Sequence, residues 1–143
     1  MASVGRGPVA LDSAIVIYFI EQHPRYVSLL RPLFEAIDRN DLPAFTSELT
    51  LLETLVVPYR AGDGDLALRY ETILTRGRGL TLVPIDRPLL RLAAETRAAT
   101  SVRTPDALQL AAALATGCTV FLTNDRRLPA FHRLAVLQIE DFA

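Results

Sequence analysis

The sequence predicts a three-layer α/β/α sandwich with a central parallel sheet of four or five strands. Short apolar runs typical of buried strands alternate along the chain with longer segments whose apolar residues recur at helical spacing. The first apolar run, at residues 8–11, comes early and contains no polar residue, as in a strand that is covered on both faces. We therefore expect this strand in the middle of the sheet, with later strands added on either side through helical crossovers.

In the first half of the chain, Ser13 is a suitable N-cap for the first predicted helix, and either Thr46 or Ser47 for the third. Pro58 is expected to bend or end that third helix, and two glycines follow it. The predicted elements of this half are a strand at residues 8–11, helices over 14–20 and 26–38, a strand at 43–46 and a helix ending at Arg60.

In the second half, Pro88 opens a predicted helix in its first turn, Thr104 caps the next one, and Gly117 stops it. The last apolar stretch is short and is expected to form an edge strand. The predicted elements of this half are a helix over 65–75, a strand at 80–83, helices over 88–99 and 104–116, a strand at 119–123 and the edge strand at 134–139.

Length and composition indicate one domain spanning residues 1–143. Half of the residues are hydrophobic, which is enough to fill a core. The formal net charge of −1 provides no basic field for sequence-independent nucleic-acid binding, which weakens a nucleic-acid substrate without excluding it. All fifteen basic residues are arginine, so mechanisms that need a Schiff-base or catalytic lysine are excluded.

The remaining reactive side chains are not expected to carry chemistry. Cys118 precedes a buried strand with no histidine nearby in the sequence, and we interpret it as an inert core residue. His23 and His132 are isolated and are assigned no catalytic role. Residues 1–7 lack the apolar core of a leader, and the apolar run at 14–20 is too short to span a bilayer. We expect a soluble, cytoplasmic protein with no membrane partner.

Two carboxylates directly follow predicted buried strands. Asp12 ends the first strand and Asp125 comes just after the fourth. If the early crossovers build outward on one side and the later ones on the other, these two strands are neighbours and their ends flank the switch point of the sheet. The two side chains are then close in space.

Two further acidic residues are candidates for the same place. Glu53 shares a helical face with Leu49, Leu52 and Val56, where an unpaired charge is costly. Glu48 lies in the first turn of that helix, where the helix dipole alone explains it, and we leave it out of the site.

Asp106 lies in the first turn of its own helix, and taken alone it is better explained by the helix dipole than by function. The functional hypothesis depends on convergence, because several carboxylates at one strand end repel each other unless a cation neutralises them. Hard oxygen ligands without histidine or cysteine favour Mg²⁺ or Mn²⁺ over zinc.

Four motifs, in order along nearly the whole chain, make the sequence resemble the PIN domains, and most closely the VapC-type toxins of VapBC toxin–antitoxin pairs. The motifs are Leu11-Asp12-Ser13, TSELTLLE at 46–53, TPDALQLA at 104–111 and FLTND at 121–125. Many relatives carry histidine where this chain has Gln109, a position that is not a metal ligand in the pattern and that we treat as neutral.

The resemblance implies a Mg²⁺- or Mn²⁺-dependent endoribonuclease, the toxin of a type II toxin–antitoxin pair, which hydrolyses RNA phosphodiesters with metal-activated water. It implies a homodimer that binds an antitoxin segment over the active site, and we expect the dimer to use apolar residues of the helices around 26–37 or 48–59. The implied acidic and metal-binding set is Asp12, Glu53, Asp106 and Asp125, with Thr123 or Ser13 as a supporting hydroxyl.

Arg126 and Arg127 follow Asp125 directly and could meet phosphate oxygens or an acidic partner, although solvated surface arginines are an equal alternative. Two other functions fit carboxylates at parallel-strand ends. A receiver-like phospho-acceptor domain uses a lysine that this chain lacks. A PIN-like scaffold that binds RNA or protein without cutting is opposed by the presence of all four acids. Metal-dependent cleavage distinguishes this scaffold from the nuclease.

Overall fold

The computed structural model describes residues 4–131 and 133–143. Residues 1–3 and His132, for which no catalytic role is predicted, lie outside the described residues. Within the described ranges the elements are β1 (Val9–Leu11), α1 (Ser13–Ile20), α2 (Val27–Asp38), β2 (Ala44–Ser47), α3 (Leu49–Arg60), α4 (Gly64–Arg76), β3 (Leu80–Val83), α5 (Arg87–Ala99), α6 (Thr104–Ala115), β4 (Val120–Thr123), β5 (Ala135–Gln138) and a 3₁₀ helix (Ile139–Phe142).

The strands form one parallel sheet in the order β3-β2-β1-β4-β5. β1 lies in the centre, as predicted, and all three of its residues are buried. Val9 is in register with Ala44 of β2 on one side and with Val120 of β4 on the other. The chain builds outward to β3 and then returns to β4 and β5, so the carboxyl ends of β1 and β4 meet at the switch point of the sheet.

Alternate residues of β1 point into two cores, one on each face of the sheet. Val9 and Leu11 pack with residues of α1, α2 and α4. Ala10 packs on the opposite face with α5 and α6. Helix α6 is buried at every residue from Ala107 to Ala113, and its alanines let it lie close against the sheet. The predicted three-layer α/β/α sandwich is thereby confirmed.

Aspartate caps decide where three helices begin. Asp63 Oδ1 accepts a hydrogen bond from the Leu66 amide at 3.1 Å, and Asp86 Oδ1 accepts one from Leu89 at 3.0 Å. Each cap satisfies an amide of the first turn, typically worth about 1 kcal/mol. Helices α4 and α5 each begin one residue earlier than the sequence predicts. Asp12, the third cap, belongs to the candidate site.

Two details outside the site match the sequence interpretation. Gly117 follows Thr116, the C-cap of α6, and adopts φ +71°, a backbone conformation that favours glycine and that ends the helix as predicted. Cys118 is buried, and burial raises the pKa of its thiol, as expected of an inert core residue. In the described part of the chain, no helix combines the length and apolarity needed to cross a membrane.

Candidate functional site

Asp12 is held at the carboxyl end of β1 by groups on both sides. Its Oδ1 accepts a hydrogen bond from the amide of Ser13 at 2.8 Å, and its Oδ2 accepts one from Thr123 Oγ1 at 2.7 Å. Asp12, rather than the predicted Ser13, is the N-cap of α1. Asp63 and Asp86 each accept from the amide three residues further along the chain. Asp12 differs, because one of its oxygens accepts from the adjacent amide and the other accepts from a side chain of the neighbouring strand.

Ser13 joins α1 to α3. Relieved of capping, its hydroxyl donates to Glu53 Oε1 at 3.1 Å. The buried face of α3 consists of Thr50, Thr54 and Pro58, and Leu52 is 61% exposed. Of the predicted apolar face, Leu52 is therefore exposed, whereas Leu49 and Val56 are partly buried. Glu53 lies at the edge of the buried face, half-buried, where it can reach the cleft.

Glu48 has a different partner. It occupies the N-cap position of α3, is exposed, and its Oε1 accepts a hydrogen bond from the amide of Ile85 at 3.0 Å. Ser47, one of the two predicted caps, lies one residue before the N-cap position, and its Oγ accepts a hydrogen bond from the Leu49 amide at 3.1 Å. Glu48 thus ties the start of α3 to the segment after β3.

Asp106 lies in the first turn of α6, and its side chain is 18% exposed. The N-cap of this helix is Arg103, which makes no side-chain capping hydrogen bond, and not the predicted Thr104. Arg103 Nε lies 3.7 Å from Asp106 Oδ2, too far for a hydrogen bond. Asp106 therefore faces the cleft with one loose ion pair.

Asp125 is tightly paired. Arg127 Nε donates to Oδ1 at 2.9 Å and Arg127 Nη2 donates to Oδ2 at 2.8 Å. The hydrogen bonds from Arg127 hold the pKa of the Asp125 carboxyl below its usual range. The amide of Asp125 donates to Thr123 Oγ1 at 3.0 Å, so Thr123 contacts both strand-end aspartates.

These side chains surround one open cleft of about 570 Å³ at the carboxyl ends of β1 and β4. All four predicted acids, the predicted Ser13 and the predicted Arg127 line it, and the buried Thr123 lies directly behind Asp12. Arg126 is placed elsewhere, since its guanidinium pairs with Asp141. The cleft is lined by Asp12, Ser13, Ala14, Tyr18, Glu53, Arg103, Pro105, Asp106, Asn124, Asp125 and Arg127.

Burial changes the pKa values of two carboxylates in the cleft. Burial raises the pKa of Asp12, hydrogen bonds from Thr123 and Ser13 oppose that rise, and the charges of Asp106 and Asp125 add to it. Burial also raises the pKa of Glu53, with further contributions from Asp12 and Asp106. Burial is thus the main cause of both increases, and repulsion among the carboxylates is a smaller one.

A buried polar network supports the cleft from below and was not predicted. Gln109 is 3% exposed, its Nε2 donates to Thr50 Oγ1 at 2.7 Å, and its Oε1 accepts from the Ser47 amide at 3.3 Å. Thr50 Oγ1 lies 2.6 Å from Thr46 Oγ1, which donates to the carbonyl of Leu11 at 2.8 Å. The network joins α6, α3, β2 and the end of β1, so Gln109 has a structural role that the sequence interpretation did not assign to it. In the sequence, Gln109 stands out only because it is a polar amide in the run 107–113, whose other residues are apolar.

Tyr18 and Asn124 also line the cleft without having been predicted. Asn124 Nδ2 donates to Tyr18 Oη at 3.1 Å, and the rings of Tyr18 and Tyr26 have centroids 4.9 Å apart. Asn124 could have been suspected from its position beside Asp125. Nothing in the sequence distinguishes Tyr18 from the other residues of its helix.

The acidic side chains are not already gathered around a single point. Within residues 4–131 and 133–143, no three His, Cys, Asp or Glu side chains converge closely enough to form a ready-made metal site. Glu53 is turned toward Ser13, and Asp125 is turned toward Arg127. A cation shared by three acids therefore requires these two side-chain contacts to open.

Solved structures of toxin–antitoxin proteins have the same fold at low identity. VapBC2 from Rickettsia felis, bound to a DNA fragment from its promoter, aligns with a TM-score of 0.68 at 17% identity, over 91% of this chain and 97% of that one. DNA-bound VapBC from Salmonella typhimurium gives 0.65 at 19%, over 92% and 97%. Mycobacterium tuberculosis VapC20, described as a sarcin-ricin loop cleaving toxin, gives 0.63 at 15%, over 79% and 86%. At these identities the likeness shows the fold.

Comparison of the sequence with family models identifies the family. No curated protein matches the chain significantly. The family model described as PIN domain matches residues 9–137, from the first residue of β1 to β5, and this range contains all four cleft carboxylates. The match covers most of the 143 residues. The chain belongs to the PIN domain family.

Proposed function

We propose that this protein is a metal-dependent endoribonuclease and the toxin of a type II toxin–antitoxin pair. One observation carries the proposal. Asp12, Glu53, Asp106 and Asp125 come from four separate parts of the chain and line one open cleft at the switch point of the sheet. Four carboxylates line the cleft but only two guanidinium groups, those of Arg103 and Arg127, do so within the described residues, and a bound cation would relieve this excess of negative charge. The similar fold of VapC20, a sarcin-ricin loop cleaving toxin, supports RNA as the substrate.

The donor set fits a hard divalent cation. The four acids offer only carboxylate oxygens, and the cleft lining includes no histidine or cysteine within the described chain, which favours Mg²⁺ or Mn²⁺. We infer that Asp12, Asp106 and Asp125 bind the metal, together with Glu53. Such a cation, when bound, supplies an activated water and neutralises charge that develops on the phosphate.

The protein's own residues orient and position these groups. Thr123 fixes the Asp12 carboxylate and the Asp125 backbone at the same time, which sets the spacing of the two strand ends. Ser13 keeps Glu53 directed toward the cleft. Arg103 and Arg127 lie on the cleft lining and are 64% and 67% exposed. The loosely paired guanidinium of Arg103 is available to phosphate oxygens of an RNA backbone, whereas that of Arg127 must first leave Asp125.

Two protein partners are part of the proposal. The similar structures from Rickettsia felis and Salmonella typhimurium are VapBC complexes, which supports a cognate antitoxin for this chain. A homodimer is supported by α3, where Leu52, Val57 and Tyr59 are each more than 60% exposed. Of the two predicted dimer surfaces, the helix around residues 48–59 presents this apolar face, because the large hydrophobic side chains of α2 are turned inward.

A cleavage assay on a mixed RNA pool tests the nuclease. The purified protein should cut RNA in Mg²⁺ or Mn²⁺ and stop when EDTA is added, and Asp12→Asn should lose at least 100-fold in rate, on the order of what metal and acid–base catalysis contribute. Binding of RNA without metal-dependent cutting would favour the non-cutting PIN-like scaffold instead.

A further inference from the structure

Arg127 closes around the carboxylate of Asp125, two residues before it. Its Nε donates to Oδ1 at 2.9 Å, its Nη2 donates to Oδ2 at 2.8 Å, and its backbone amide donates to Oδ1 at 2.9 Å. A carboxylate offers about four lone-pair positions. One residue therefore occupies most of the positions that a metal ion needs at Asp125.

The two partners differ in freedom to move. The backbone of Asp125 is held on both sides, since its amide donates to Thr123 Oγ1 at 3.0 Å and its carbonyl accepts from Gln138 Nε2 at 3.0 Å. The Asp125 side chain is 22% exposed, whereas that of Arg127 is 67% exposed. If the pair opens, the arginine side chain is the part that leaves.

We propose that Arg127 is an internal competitor of the divalent cation. It holds Asp125 when the cation is absent, and when a cation displaces it, the guanidinium is released at the rim of the cleft and binds a phosphate of the RNA. The guanidinium and the cation require the same carboxylate oxygens, so they cannot both hold Asp125 fully. This inference rests on the proposed function, because it assumes that Asp125 is a metal ligand.

Neighbouring arginines provide matched controls. Arg126 is adjacent in sequence, 60% exposed and also paired with an aspartate, but that partner is Asp141 and not a residue of the cleft lining. Arg103 lies on the cleft lining beside Asp106 at 3.7 Å, without a two-pronged hydrogen bond. A variant at Arg126 shows whether any change in this loop alters metal binding. A variant at Arg103 shows whether the loss of any positive charge at the cleft does so.

Calorimetric titration with MnCl₂ in the absence of RNA tests the competition directly. Arg127→Gln should tighten Mn²⁺ binding by roughly three- to tenfold, the range expected when one well-formed competing ion pair is removed. Arg127→Lys keeps the charge but cannot form the fork, and it should also tighten binding. Arg126→Gln should stay within about twofold of wild type, and Arg103→Gln should have a smaller effect than Arg127→Gln.

A second measurement tests the released arginine. Under saturating metal, Arg127→Gln should raise the KM for RNA several-fold, although its metal affinity is higher. These opposite effects on metal and RNA are not expected of a residue that only stabilises the loop.

The outcomes separate the two proposals. Equal Mn²⁺ affinity of wild type and Arg127→Gln would overturn the competition and leave the nuclease intact. An effect of Arg103→Gln as large as that of Arg127→Gln, with Arg127→Lys like wild type, would reduce the role of Arg127 to its charge and also overturn it. Absence of Mn²⁺ binding by wild type and by every variant, each folded by circular dichroism, would overturn the proposed metal site itself.

Discussion

The hydroxyl of Thr123 donates to Oδ2 of Asp12 at 2.7 Å, across the boundary between β4 and β1. The hydroxyl oxygen of Thr123 also accepts a hydrogen bond from the backbone amide of Asp125 at 3.0 Å. Thr123 is fully buried, so water does not compete for these bonds. One side chain thereby sets the distance between two of the proposed metal ligands.

Replacing Thr123 by valine, which has nearly the same shape, should remove both hydrogen bonds. The amide of Asp125 would lose its partner, and we expect a loss of about 1–3 kcal/mol in unfolding free energy. RNA cleavage should fall more than this instability explains, because Asp12 is no longer oriented. Chemical denaturation and cleavage rates of Thr123→Val measure the two effects. Thr123→Ser keeps the hydroxyl and should stay close to wild type; a serine variant as impaired as the valine variant would contradict this role.

Metal should stabilise the fold. A ligand that binds only the native state at 100 times its Kd adds about 2.7 kcal/mol, which corresponds to a rise of several degrees in Tm. We expect Mg²⁺ or Mn²⁺ to produce such a rise and Asp125→Asn to reduce it. Scanning calorimetry with millimolar metal and with chelator makes the comparison. Equal Tm values of the wild type in the two conditions would count against the metal site.

Three amide substitutions distinguish the proposed ligands from acids with ordinary structural roles. Asp106→Asn and Glu53→Gln should each reduce RNA cleavage by orders of magnitude while the protein remains folded. Glu48→Gln retains the oxygen that accepts from the Ile85 amide and should remain active. Cleavage of an RNA pool is the measurement, with circular dichroism as the folding control. If Asp106 only complements the helix dipole, its variant will cut like wild type and lose a fraction of a kcal/mol in stability.

Glu53 should destabilise the metal-free protein at neutral pH. Burial raises its pKa in the folded state, so the folded protein binds its proton more tightly than the unfolded chain does. The cost of ionisation is present above the folded pKa and disappears as pH falls through that value. Glu53→Gln, which keeps an acceptor for Ser13, should therefore raise the metal-free Tm at pH 7 and raise it less at pH 4.5. A Tm difference that grows toward acid pH would refute this assignment.

The apolar face of α3 should form the homodimer contact. Leu52→Glu or Val57→Glu places a charge in that contact and should give a monomer by light scattering at high micromolar concentration. Leu90→Glu is the control, because Leu90 is 50% exposed on α5, which packs against the other core. A monomeric wild type at the same concentration would remove the homodimer from the proposal.

The sequence by itself determined the order of strands and helices and the position of two site residues. Asp12 and Asp125 are recognisable because each ends a short apolar run, and parallel strands carry their carboxyl ends to one edge. That reasoning needs only local pattern and chain direction. The central position of β1 beside β4 followed from the same rules and is confirmed.

Tertiary structure decided what local pattern leaves open. Helical spacing placed Glu53 on an apolar face with Leu52, yet the fully buried residues of α3 are Thr50, Thr54 and Pro58, and Leu52 is exposed. Arg126 and Arg127 are adjacent, and the sequence does not show which of them pairs with Asp125. The turn after β4 decides this, since it directs Arg127 to the cleft and Arg126 to Asp141. The contacts of Gln109 join segments about 60 residues apart, and only the folded chain brings them within hydrogen-bonding distance.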